Sequence, residues 1–132
     1  MSNRSLTAEK LYERLLNYAK KCQRLVMMLP KTIYNIECGK QLTRSSGSQG
    51  ANYLEAIEAG SHREFIHKLK TCRKESRESV HWITLIEFAN SRISGIQKIC
   101  NELIEEGREY VKIFASSVST TERNKEIKKS SK

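Results

Sequence analysis

Aspartate is absent from the 132-residue sequence; all 15 acidic side chains are glutamates. That removes Asp-based calcium loops, Ser-His-Asp triads and the metal-holding aspartates of phosphoryl transfer. Proline occurs once and glycine six times. Sandwiches and small barrels need many turns, and turns draw on these two residues. An all-β fold is therefore disfavoured, and a few long helices are expected. No apolar run approaches the ~18 residues of a membrane span. MSNRSLTAEK at the N-terminus has no signal-peptide core, so the expectation is a cytoplasmic protein with no membrane partner. Cys22, Cys38, Cys72 and Cys100 form no CxxC pair and have no His-x-x-x-His companion. No zinc site is expected, and these cysteines read as small buried apolar side chains of a reducing compartment.

What the chain does have is positive charge. Lys and Arg total 24, for a net charge of +9. The length allows one domain with one core. A basic imbalance of this size points to a polyanionic partner, most simply nucleic acid.

Four segments carry helical periodicity. The first opens at Thr7, a candidate N-cap, and buries Leu11, Leu15, Tyr18, Cys22, Leu25 and Leu29 at 4-3-4-3-4 spacing. Tyr12, Leu16, Ala19 and Val26 widen that stripe, and Pro30 ends the helix. The second runs from about Tyr34 to about Ala59, with Gly60 as its stop. Its centre, RSSGSQGA from Arg44 to Ala51, is loop-like in composition, and each glycine costs about 1 kcal/mol relative to alanine. The 3-4 pattern nevertheless continues through Cys38, Leu42, Ser45, Gln49, Asn52 and Ala56. One helix is expected, with small residues where another backbone comes close. The third starts with the capping box Ser61-His-Arg-Glu64 and ends near Asn90. The fourth starts with a second box, Ser94-Gly-Ile-Gln97, and ends near Ser117. The predicted fold is an all-α antiparallel up-down-up-down four-helix bundle over residues 1–118. A disordered basic tail is expected over 119–132, where five basic residues and two acids accompany one apolar side chain.

Charge is uneven along the chain. Residues 1–30 carry six basic and two acidic side chains, and residues 61–93 carry seven and four. The first helix contributes Lys20, Lys21 and Arg24. On the third, Arg63, His67, Lys70, Lys74, Arg77 and His81 recur at 4-3-4-3-4, each two positions before an apolar-stripe residue. That offset sets them about 200° from the core, in a ridge of nearly 30 Å that contains no acid. Phosphates of a nucleic-acid backbone would match such a ridge. A solvated face usually mixes both signs.

Constellations for chemistry are weak. Gly47-Ser-Gln-Gly50 has no GK[ST] after it and no strand before it, so it is not a P-loop, and a KH-type loop would need a mixed α/β context. Glu64-Phe-Ile-His67 is the only Glu-x-x-His, whereas a di-iron bundle site needs two. Ser45, Ser46 and Ser48 lack a nucleophile-activating partner. His62, His67 and His81 read as surface groups, and Trp82 as a core or interface residue. In the hairpin of helices two and three, residues whose numbers sum to about 120 lie level. Arg44 then meets Glu75 or Glu78 in a half-buried ion pair.

RSSGSQGANYLEA followed by SHREFIHKLKTCRKESRESVHW resembles the four-helix-bundle family of proteins encoded in intervening sequences of bacterial large-subunit ribosomal RNA genes. The resemblance rests on Gly39, Lys40, Gln41, Leu42, Arg44, Ser45, Ser48, Ala51, Asn52, Glu55 and Ala56. Glu64, Phe65, Lys68, Leu69, Lys74, Glu75, Glu78 and Trp82 complete it. It implies a homopentamer of four-helix bundles, no known enzymatic activity and suspected nucleic-acid binding; no cofactor is expected. It further implies kinship with the accessory variability protein of diversity-generating retroelements, which binds a reverse transcriptase and its RNA. The expectation is a non-catalytic RNA-binding accessory with the ridge, Lys20, Lys21 and Arg24 as its contact residues. The alternative is a structural homo-oligomer whose basic surface meets an acidic protein.

Overall fold

The computed structural model describes residues 5–130. Four helices follow one another: α1 (Leu6–Met28), α2 (Ile33–Ile57), α3 (His62–Ala89) and α4 (Ile96–Ser130). Each packs on its neighbours in the chain, and α1 closes the circuit against α4, whereas α1 and α3 lie diagonally apart. This is the antiparallel four-helix bundle that the periodicity predicts.

The helix ends follow from local chemistry. Ser5, not Thr7, caps α1, accepting from Ala8 N at 3.1 Å. Leu29 leaves the helix in an extended conformation before Pro30, whose ring disfavours a helical predecessor. Thr32 caps α2 by accepting from Asn35 N. Ser61 Oγ accepts from Glu64 N, and the Glu64 carboxylate accepts from Gly60 N at 3.2 Å. At α4 the expected Ser94 box is replaced. Gly95 stands at φ +86, a left-handed conformation glycine adopts freely, and its carbonyl accepts the first helical bond from Ile99 N. The cap is therefore one residue later than Ser94, and Gln97 cannot complete a box.

The core contains Leu15, Tyr18, Cys22, Leu25, Leu42, Leu69, Cys72, Ile83, Cys100 and Phe114. Three cysteines are buried and Cys38 is half-buried; all four are free thiols. Leu16, expected to widen the buried face of α1, is 41% exposed because α1 touches only α2 and α4.

α2 runs unbroken through Arg44–Ala51. Ser45, Ser46, Gln49 and Gly50 are buried, and a Cβ on Gly50 would lie 3.7 Å from Tyr12 and 3.8 Å from Leu15. Gly47 departs from the close-approach reading, since it is exposed with nothing within 4 Å of a Cβ. The small residues admit a polar seam. Gln49 Nε2 donates to Ser79 Oγ at 2.9 Å, which lies 2.9 Å from Ser45 Oγ.

The largest departure is α4. The tail expected to be disordered from Ser119 continues as helix to Ser130. No Gly or Pro follows Gly107, and Val118, Thr121 and Lys125 keep the 3-4 rhythm on the side turned to α3. Glu122 ties the extension to Lys70 at 3.3 Å. Composition signalled disorder because the segment has few apolar residues, but one packed helix face suffices when a neighbouring helix lies alongside. Residues 131–132 of the expected tail lie outside the described residues.

Candidate nucleic-acid interface

Arg63, His67, Lys70, Lys74, Arg77 and His81 are all exposed along α3. At about 1.5 Å per residue they span about 27 Å. The ridge does not point straight out from the core. It sits on the shoulder of α3 next to α4, where Arg63, His67 and Lys70 share a cleft with Glu122, Lys125, Glu126 and Lys129. Further along, Arg77 shares a shallow cleft with Arg108 and Lys112, floored by Val80 and Val111. Sequence reasoning offered Lys125 and Lys129 only as part of a flexible basic tail that could bind phosphates on its own, and did not single out Arg108 and Lys112. Placing Lys125 and Lys129 on the ridge required the α4 extension to be read as helix, and placing Arg108 and Lys112 there required the register between α3 and α4.

Lys20, Lys21 and Arg24 are exposed on α1, diagonal to α3, so they form no single surface with the ridge. Lys21 lies in the α1–α4 cleft with Glu102, Glu105 and Glu109, and pairs with Glu106 at 3.0 Å. Arg14 pairs with Glu109 at 2.8 Å in the same cleft. The Arg14 guanidinium is held above its ordinary pKa, first by its hydrogen bond to Glu109. This seam neutralises itself and offers phosphate a surface rich in carboxylates.

Arg44 meets both expected glutamates. Its guanidinium bonds Glu75 at 3.0 Å and also bonds Glu78. The Glu75 side chain is 9% exposed, while that of Arg44 is 49% exposed. The pair fastens α2 to α3 beside the polar seam, with Lys68–Glu55 at 2.6 Å completing the hairpin's ionic edge. Trp82 is half-buried against the core, with His81 edge-on at 4.7 Å. It is placed for packing rather than base stacking.

Burial raises the thiols of Cys22 and Cys72 to about 12 and that of Cys100 to about 11. Such thiols are neutral and poor nucleophiles at neutral pH. Among the described residues, no group of three or more His, Cys, Asp or Glu side chains is arranged to hold a metal ion. No described helix is long and apolar enough to cross a membrane.

With four helices, the Ser/Gly-rich α2 and the Arg44 pair in place, the comparison with known proteins is informative. The sequence profile of the 23S rRNA-intervening sequence protein family matches residues 8–116. The chain belongs to this family. Among solved structures it is similar to a protein of unknown function from the S23 ribosomal protein family of Bacteroides thetaiotaomicron. The TM-score is 0.71 and the identity 24%, covering 86% of this chain and 99% of that one. Likeness at that identity concerns the fold. A search of curated proteins finds no match. The family match ends before Val118, so the last turns of α4 and their cations extend past it.

Proposed function

We propose that this family member is a non-catalytic, self-associating protein that binds RNA through the cationic face of α3. The observation that carries the reading is the row of six exposed basic or imidazole side chains from Arg63 to His81, with no acid in its register. A net charge of +9 adds long-range attraction for a polyanion. A retroelement reverse transcriptase with its RNA is the specific partner that this reading nominates. A pull-down with and without nuclease tests it. Loss of the captured partner on nuclease treatment supports RNA as the ligand. Nuclease-resistant capture of an acidic protein supports the alternative, a structural oligomer docked by charge.

Self-association draws support from exposed apolar side chains. Met27, Met28, Ile33, Tyr34, Ile36 and Phe88 are between 43% and 83% exposed. They gather at one end of the bundle, where Asn35 and Asn90 exchange two 2.8 Å hydrogen bonds that fasten the start of α2 to the end of α3. Apolar groups concentrated this way mark an association surface. The assembly proposed is a pentamer, about 76 kDa for five 15.2 kDa chains. Light scattering that returns a monomer at micromolar concentration contradicts it.

A further inference from the structure

We infer that the seam between α3 and α4 is one cationic groove that seats the phosphate backbone of a single nucleic-acid strand, with α4 supplying about half of its charges. The inference rests on the RNA-binding reading above and adds where the strand lies and which helix completes the site.

The Lys70–Glu122 ion pair fixes the register of the two antiparallel helices. Residues whose numbers sum to about 192 lie level, which sets Arg63 beside Lys129 and His67 beside Lys125. These four and Lys70 line one cleft together with Glu122 and Glu126. About two turns along α3, Arg77 enters a second cleft with Arg108 and Lys112, and no carboxylate lines it. Lys74, exposed on the same ridge, lies between them. From Arg63 to Arg77 the track is about 21 Å long at 1.5 Å per residue.

The two seams of α4 differ in their balance of charge. Toward α1, Glu106 and Glu109 meet Lys21 and Arg14, so charge is cancelled within the chain. Toward α3, cations from both helices outnumber the two carboxylates, Glu122 and Glu126, of the first cleft and face no carboxylate in the second, so like charges there repel one another. An arrangement that raises the energy of the empty protein is relieved by a run of phosphates, whose binding also releases condensed counterions. The furrow between two packed helices, whose axes are typically 8–10 Å apart, suits one backbone rather than a duplex. Ile66, Val80 and Val111 form an apolar floor under the cationic rims. Glu122 and Glu126 are the local opponents, since both line the first cleft and would repel a phosphate, and Glu122 also holds Lys70.

Binding of labelled oligo(U) over a salt series tests the groove. The four-fold variant Arg108→Gln, Lys112→Gln, Lys125→Gln and Lys129→Gln changes α4 alone. It should weaken binding at least tenfold and flatten the slope of log affinity against log salt by about two to three units, at ~0.7 per phosphate contact on a single strand. Glu122→Gln should tighten binding and steepen the slope, a gain that misfolding cannot imitate. Lys31→Gln, Lys40→Gln, Arg92→Gln and Lys98→Gln remove the same charge elsewhere and should change the slope by less than about one unit. Duplex RNA of equal phosphate number should compete more weakly than oligo(U).

If the two four-fold variants lose affinity equally, net charge rather than a groove is responsible, and the inference fails while RNA binding stands. Unchanged or weaker binding by Glu122→Gln, or equal competition by duplex, also overturns it. If the wild-type chain does not bind oligo(U) at all, the RNA-binding reading falls, and the groove with it.

Discussion

Gly107 and Gly47 both sit inside helices, yet alanine should shift stability in opposite directions at the two positions. A Cβ on Gly107 would meet Tyr18 Oη and Val80 Cγ2, each at 2.7 Å. Tyr18 is fully buried and its hydroxyl donates to Leu103 O, so it has little freedom to retreat. Gly107→Ala should destabilise by about 1–3 kcal/mol through overpacking, more than helix propensity returns. Gly47→Ala meets nothing and should stabilise by up to about 1 kcal/mol. Chemical denaturation of the two variants checks both signs; a loss at both would mean that the α2 segment is not a regular helix. Arg44 belongs to the same scale. Its removal strands the nearly buried Glu75 carboxylate, but solvent screens the half-exposed guanidinium. Arg44→Ala should therefore lower stability by about 1–2 kcal/mol, less than the 3–5 of a fully buried pair. An unchanged denaturation midpoint would show that the pair contributes nothing.

The helical extension of α4 is the feature on which the element-scale account depends. Deleting residues 119–132 should reduce the far-UV helical signal and lower the melting temperature, because the segment covers Ile66 and pairs with Lys70. A disordered tail would leave both unchanged. This element also marks where sequence reasoning stops. α1, α2 and α3 were legible because their apolar residues repeat at 3-4 spacing, although only the cap of α3 was read correctly, since Ser5 rather than Thr7 caps α1 and Thr32 caps α2. The α2 segment with two glycines was legible only because the period continued through it. The end of α4 was not, since a helix packed along one face needs few apolar residues, and its partner face becomes visible only in three dimensions. The ridge on α3 was legible as spacing. Its junction with Arg108, Lys112, Lys125 and Lys129 was not, because it depends on the register between two helices. Lys21 shows the reverse limit: a basic residue on a basic helix, yet committed to Glu106.

At the scale of the whole molecule, stability and the proposed binding should respond to different charges. Cys22 and Cys72 titrate near 12 in the folded protein against an ordinary thiol value of 9.0. Their pKa values are raised on folding, so the unfolded chain releases these protons first. The associated stability is complete below pH 9 and is lost as pH rises from 9 toward 12, by about 1.4 kcal/mol per pH unit for each buried thiol. Denaturation across that window checks the sign; a midpoint that stays constant from pH 9 to 11 would place the thiols in water. The proposed RNA binding would draw instead on exposed cations and follow salt. The most direct test of the central claim is the affinity of the wild-type chain for single-stranded RNA, measured as a function of salt. Contact with five or more phosphates along the α3–α4 face predicts saturable binding and a log–log slope of about −3.5 or steeper. Binding that is undetectable at low salt, or that does not weaken as salt rises, would contradict the account.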